Sequence, residues 1–527
     1  MYLEAPRDTL PKCVEASCNN QFKTTAMIKF CQLPRFLILS VLVVLLQLQC
    51  INWVSLKATE KSFAVCSQDR GDENLFRAIQ LIDRSMATYF ADEELKMYRF
   101  YNPFSQTRSE ETASVWMYSS AIEAVNAVLN GLQAQQKRGD TRLYNAYYGR
   151  YVELIAKLYT NAAYYLGTFT LTSFTQHKEW TVYAVDRSKE KGKANVEGIF
   201  NVYDDQMWLV KELLETYHLT GKENYLKEAE YLTAYILDGW DCTLDEQGKE
   251  HGGIPWGPGY VTKHACSNAP IISPLVTLHE IYKNKSDQIT KHYISTKDKL
   301  TRLSKIELKS DFYLHYAQRI YEWQKDNLLN DNGVYADMMG DCSPACSIAY
   351  EMVQGKQYRK NTVLNKAVGT AFSYNCGTML SAAADLYRVT KSEKYLVEGK
   401  TLADASFNYF GKLGQQIPGY YSYANDGFNN WFNGVLLKGF SSIYPLYGKA
   451  TLFMDSFQKN LDYGYANFLV DGLLPADLLA GWPADKNKCN LEAMFMFAYA
   501  TQYAVLAQTD MTRPKIAASS NRSISGQ

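Results

Sequence analysis

The 527 residues show no charge imbalance. There are 55 basic and 55 acidic side chains and a formal net charge of zero, so the electrostatic footprint of a nucleic-acid binder is missing. Metal-ligand spacing is missing too. The seven His are scattered, with no HExxH and no paired ligands, which speaks against a zinc catalyst. The eleven Cys are too dispersed for a disulfide framework. Five lie at or before Cys66, and only Cys342 and Cys346 stand close enough for a local bridge. The fold must therefore rest on its own core. The apolar run Phe36-Leu-Ile-Leu-Ser-Val-Leu-Val-Val-Leu-Leu46 is short of the about 20 residues of a membrane span. Stretching it to Val54 takes in Gln47 and Gln49.

Lys29 and Arg35 precede that run, and Met27 stands where an export signal normally begins. Residues 1–65 are therefore expected to be an export signal, with an uncleaved anchor as the alternative, and the 26 residues before Met27 an overextended start. Cys50 and Cys66 lack the small residues that precede a lipidated cysteine. The protein is expected to be exported, to a periplasm, a cell surface or the medium. It should touch a membrane only through this segment and act as a monomer. A catalytic domain is expected over 74–510 and a disordered tail over 511–527.

What the chain does have is aromatics, with 40 Tyr, 23 Phe and 9 Trp, and 47% apolar residues, enough for one large core. Tyr pairs an apolar ring with a polar tip and suits clefts that face sugars, although helical cores also use it. From Asn74 onward the apolar spacing predicts helix after helix: 75–90, 113–132, 144–166, a helix after Asp204-Asp205, 225–237, 269–282, 312–325, 371–389, 395–410, 431–443, 453–468 and 491–507. Strand-like alternation is confined to 169–185 and the glycine-rich 248–260, read as loops or hairpins. An internal repeat aligns Leu214–Leu226 with Ala384–Leu396 through Tyr217/Tyr387, Thr220/Thr390, Glu223/Glu393 and Tyr225/Tyr395. Each copy reads as helix, tight turn and returning helix. Helical hairpins of this kind can close into a ring with the inner helix starts around one basin. An all-α toroid is expected, with an open superhelix as the structural alternative.

The same register lays Tyr374-Asn375 over Asp204-Asp205, at equivalent helix mouths. Two neighbouring carboxylates cannot both ionise cheaply, so one tends to stay protonated while the other stays charged. That is the equipment of a glycoside hydrolase; the competing reading is that Asp simply favours helix N-termini. Three further stretches are expected at the basin. They are Gly252-Gly-Ile-Pro-Trp-Gly-Pro-Gly259 with Asn268, then Phe372-Ser-Tyr-Asn-Cys-Gly377, then Gly427-Phe-Asn-Asn-Trp-Phe-Asn-Gly434. Singly each is ordinary helix-entry chemistry; together they favour a saccharide cleft.

Tyr203-Asp-Asp-Gln-Met-Trp208, the Gly-Gly-Ile-x-Trp stretch with Asn268, and Tyr374-Asn375-x-Gly377 resemble glycoside hydrolase family 76, over roughly Asn74 to Ala507. The family contains endo-α-1,6-mannanases, with fungal wall transglycosylases as relatives. The resemblance implies an (α/α)6 toroid and a retaining mechanism, with Asp204 as nucleophile and Asp205 as general acid/base. Retention calls for carboxyls about 5–5.5 Å apart, which suits sequence neighbours, and needs neither metal nor cofactor. Tyr203, Trp208, Trp256, Asn268, Tyr374, Asn375 and Trp431 are the expected sugar contacts. Two departures stand out. Cys376 replaces a glutamine of the family pattern, and Asn433-Gly-Val-Leu-Leu-Lys438 replaces a Lys-Gly-Ile-Phe-x-Arg stretch. The expected function is endo-acting cleavage of α-1,6-linked mannan. A transglycosylase using the same pair and a non-catalytic glycan binder are the alternatives.

Overall fold

The computed structural model describes residues 69–343 and 346–513. The expected export segment lies outside them, as does the expected tail beyond Arg513. Among the described residues there are twelve α-helices. They are α1 (Arg70–Tyr89), α2 (Val115–Lys137), α3 (Arg142–Ala162), α4 (Tyr203–Thr220), α5 (Glu223–Asp238), α6 (Ile272–Tyr282), α7 (Lys309–Leu328), α8 (Ser373–Thr390), α9 (Glu393–Phe410), α10 (Asn429–Ile443), α11 (Ala450–Phe468) and α12 (Ala493–Thr512). All twelve coincide with helices the apolar spacing predicts, with ends displaced by a few residues.

The even-numbered helices pack each on the next, and α12 closes back on α2. The odd-numbered ones lie outside them: α3 on α2, α5 on α4, α7 on α6, α9 on α8, α11 on α10 and α12, and α1 on α12 and α2. The chain is an (α/α)6 toroid, and the open superhelix is set aside. The inner and outer helices differ as burial requires. Inner α12 is buried along almost its whole length, whereas outer α3 buries one stripe through Tyr151, Ile155 and Leu158. Close approach of α8 and α10 depends on Gly377, where a Cβ would stand 2.4 Å from the Val435 carbonyl oxygen.

The internal repeat holds down to single hydrogen bonds. The Tyr217 hydroxyl donates to Glu223 at 3.4 Å, and that of Tyr387 to Glu393 at 3.5 Å. Thr220 caps the Thr216 carbonyl at 2.7 Å as Thr390 caps that of Leu386 at 2.6 Å. Both inner helices then end on a left-handed residue, Gly221 or Lys391.

The hairpin expected near 169–185 is present as β1 (Leu166–Thr172) and β2 (His177–Tyr183), paired through Phe169 and Trp180. The stretch 248–260 is a loop. Several strand regions have no counterpart in the sequence reading, two of them extended. One is the hairpin β3 (Gln288–Ile294) with β4 (Arg302–Leu308), which lies on α7; the other is β5 (Met338–Ser343), β6 (Tyr350–Val353), β7 (Lys356–Arg359) and β8 (Val363–Val368). β4 is exposed along most of its length and carries little apolar alternation to read. Cys342 in β5 is disulfide-bonded to Cys346. Among the described residues no helix is long and apolar enough to cross a membrane.

Candidate active site

Helix α4 begins at Tyr203, so Asp204 and Asp205 occupy its second and third positions. The residue ahead, Val202, offers no side-chain cap. The orphan N–H groups of the first turn are therefore open to Asp204, whose carboxylate takes hydrogen bonds from its own backbone N–H and that of Asp205. The positive helix end favours that charge. Trp256 adds its indole N–H to Asp204 Oδ1 at 3.1 Å, and the Cys266 thiol donates to the same carboxylate.

The two acids are not equivalent. Burial pushes Asp204 up to about 6, although the Cys266, Trp256 and backbone donors resist the rise. Asp205 is buried, accepts no hydrogen bond from the described residues, and faces Asp204 and Asp186. Burial and those two like charges drive its carboxyl well above the usual range. The pair thus supplies one carboxylate and one carboxylic acid at neutral pH.

A third acid joins them. Asp337, in the loop before β5, is pushed up to about 6 by burial and by Asp204. It also couples electrostatically to Cys266 and Tyr374. Nothing in its sequence context marks it; only the fold brings the 330s onto this rim.

The loop that delivers Trp256 is built from the inside. Gly253 has φ +76°, and a Cβ there would stand 2.4 Å from the Trp323 ring. Lys263 and Asp241 form a buried ion pair at 2.8 Å, and the same ammonium donates to the Gly252 carbonyl at 2.6 Å. Tyr203 N–H donates to the Trp256 carbonyl at 2.8 Å, fastening the loop to the mouth of α4. The Trp256 ring packs on His264, 4.8 Å between centroids. Burial holds that imidazole down at about 4, hence neutral.

Of the expected sugar contacts, Trp256 is half-exposed beside Asp204. Tyr374, at the second position of α8, is buried near Cys266, Asp337 and Asp204. Trp208 and Trp431 meet edge to face at 4.8 Å. Three expectations need correction. Tyr203 is fully buried, tilted against Tyr235 at 5.0 Å. Asn268 is sealed, with its amide exchanged for the backbone of Ile254 and His264 at 2.8–3.0 Å. Asn375 is sealed as well, donating to the Ala336 carbonyl at 3.4 Å. These three support the rim from behind.

The half-exposed aromatic wall is made by Trp116, outside the expected stretches, and by Phe428 and Phe432 of the 427–434 stretch expected at the basin. Trp116, at the second position of α2, packs on Phe428 at 4.7 Å and Trp431 at 5.3 Å, while Phe432 lies 4.4 Å from Tyr374. Trp116, Asp204 and Tyr374 share the second position of an inner helix, a register that could have singled out Trp116. Behind this wall Trp431 donates to Glu123 at 2.9 Å, and Glu123 pairs with Lys438. Burial alone would raise Glu123, yet Lys438 and Lys211 hold it down at about 2. The basic residue that differs from the family pattern is thus an internal tie between α2 and α10.

The model of glycosyl hydrolase family 76 matches residues 299–460. The fold agrees with that of a family 76 mannosidase from Bacteroides thetaiotaomicron VPI-5482, at 18% identity and TM-score 0.59 over 83% of this chain and 98% of that one. It agrees also with an α-1,6-mannanase of Salegentibacter sp. HEL1_6, solved as an inactive variant with two adjacent aspartates changed to asparagine, in complex with α-1,6-mannotriose. Identity there is 18% and TM-score 0.54, over 83% of this chain and 99% of that one. A family 76 α-mannanase of Bacteroides thetaiotaomicron gives 17% identity and TM-score 0.55, over 83% and 95%. No curated protein matches the chain significantly. Residues 299–460 thus match the family 76 model, and 83% of the chain shares the fold of these family 76 structures.

Proposed function

We propose that the protein is an endo-acting α-1,6-mannanase working by retaining double displacement. The observation that carries this reading is the inequality of the two neighbours, Asp204 solvated by donors and Asp205 buried against it. Asp205 gives its proton to the leaving O6 of the next mannose while Asp204 attacks the anomeric carbon. Asp205, now a base, then takes a proton from water, which releases the sugar from Asp204. Neither step calls for a metal or cofactor. Trp256 and Tyr374 border the sugar, Trp116 and Phe432 extend the wall, and the buried Trp208–Trp431 pair backs it. The substrate class rests on what the similar structures bear in their names, a mannosidase and α-1,6-mannanases, one of them holding α-1,6-mannotriose.

The test is incubation with unbranched α-1,6-mannan and chromatography of the products. Short oligosaccharides from the wild type and none from Asp204→Asn support the reading. Products longer than the supplied donor would assign the pair to a transglycosylase, and an unchanged polymer that still binds would assign the chain to glycan capture.

A further inference from the structure

A cavity of about 240 Å3 lies on the outer wall, between α5, α7 and the hairpins β1–β2 and β3–β4. None of its lining residues is among those named above for the Asp204 basin. Its charge is unusual. Lys291, in the middle of β3, is only 8% exposed, yet its ammonium makes no ion pair or hydrogen bond with any described residue and sits over the Tyr316 ring at 5.4 Å. The acids within reach are already engaged. Glu250 receives Arg319 and the Trp240 indole, each at 2.6 Å, and Glu307 pairs with Lys305 at 2.5 Å. A second ammonium, Lys178, stands 3.7 Å over Trp180 and acts electrostatically on Asp238 without an ion-pair contact among the described residues. Asp238 gives one oxygen to Ser173 and Gln176, both at 2.8 Å, and leaves the other without a partner.

The Lys291 stem is buried while its ammonium opens to the cavity with no carboxylate in contact, so an anion that enters can meet it in a charge-assisted hydrogen bond. Around the cation, Trp240, Phe312 and Tyr316 are apolar planks, while Gln176, Thr290 and the free Asp238 oxygen are hydroxyl-binding groups. Apolar ring face, polar edge and one negative charge describe a single chemical class.

We propose that this cavity is a second carbohydrate site, which takes one pyranose bearing an anionic substituent, a carboxylate or a phosphate ester, against Lys291. It does not depend on the assignment of the Asp pair.

Calorimetric titration of the full chain with mannose 6-phosphate, glucuronate, mannose and inorganic phosphate tests it. At least one acidic sugar should bind tenfold or more tighter than mannose or phosphate alone, and whichever of the two binds identifies the substituent. That binding should weaken at least tenfold in Lys291→Met, persist in Lys291→Arg, and resist displacement by α-1,6-mannotriose, while turnover of neutral mannan stays unchanged. The exposed Lys178→Ala, which leaves the fold untouched, should weaken it severalfold, so the test survives a Lys291→Met chain that fails to fold. The site is refuted if neither acidic sugar binds, if phosphate alone binds as tightly, if mannotriose displaces the sugar, or if the lysine variants bind like the wild type.

Discussion

Trp256 donates its indole N–H to Asp204 Oδ1 at 3.1 Å across 52 residues of chain. The bond holds Asp204 as the more acidic of two adjacent carboxyls and fixes the loop that carries the indole over the basin. A hydrogen bond to a charged group contributes about 1.5–3 kcal/mol. Trp256→Phe should therefore lower kcat/KM by about ten- to a hundredfold and move the acidic limb of the pH profile upward. A profile unmoved in Trp256→Phe would remove the indole from the electrostatics of the pair.

The proposed double displacement requires Asp204 ionised and Asp205 protonated, so kcat/KM against pH should be bell-shaped. Its acidic limb lies near pH 6, and its alkaline limb lies above that, where the elevated Asp205 carboxyl finally ionises. The two limbs belong to the pair, not to either acid alone.

The same shifts act on stability with a definite sign. Both folded-state carboxyls titrate above their unfolded values, so the native state binds protons more tightly and is penalised as pH rises from about 4, through about 6 for Asp204 and further for Asp205. Asp205→Asn, which cannot ionise, should be more stable than the wild type at pH 8 by about 0.5–2 kcal/mol. The gap should close toward pH 4, as thermal unfolding at the two pH values will read.

Gly253 shapes the loop that carries Trp256. Its φ of +76° and the Trp323 ring 2.4 Å from a notional Cβ leave no room for alanine. Gly253→Ala should cost about 1–3 kcal/mol in denaturant unfolding. It should also reduce kcat/KM well below what the folded fraction accounts for, because Trp256 rides on that loop. Wild-type turnover in the folded variant would separate the loop from the chemistry.

Behind the aromatic wall, Lys438→Met leaves Glu123 buried with only Lys211, 3.6 Å away, to balance it. Breaking a buried pair costs about 3–5 kcal/mol; the remaining lysine places the expected loss at the lower end. The double variant Glu123→Gln/Lys438→Met should recover much of it, and a double-mutant cycle measures the coupling.

The ring was readable because period-3.6 apolar stripes and hairpin turns are local signals, and Thr220/Thr390 with Tyr217/Tyr387 repeat them closely enough to give the register. That register put Asp204 and Tyr374 at one basin. It did not give the direction of side chains. Successive residues on a helix diverge by about 100°, so Tyr203 turns back onto Tyr235 while Asp204 turns to the cleft, and Asn375 turns inward beside Tyr374. Asn268 reads like a ligand for hydroxyls, yet its amide satisfies the backbone of a tight loop. Asp337 carries no local pattern at all, because its role exists only once α8 and the 252–268 loop are packed around it. The β3–β4 hairpin escaped for the opposite reason: β4 is exposed and β3 buries only Lys291 and Ile294, too little to leave an apolar period.

The most direct measurement is the anomeric configuration of the first-formed product, followed by proton NMR within minutes of adding enzyme to α-1,6-mannan. Capture of a mannosyl group on Asp204 and its release to water aided by Asp205 yields the α-anomer first, with β appearing only as mutarotation proceeds. A β-anomer formed first would mean single displacement by water, and would contradict the division of labour between the two aspartates.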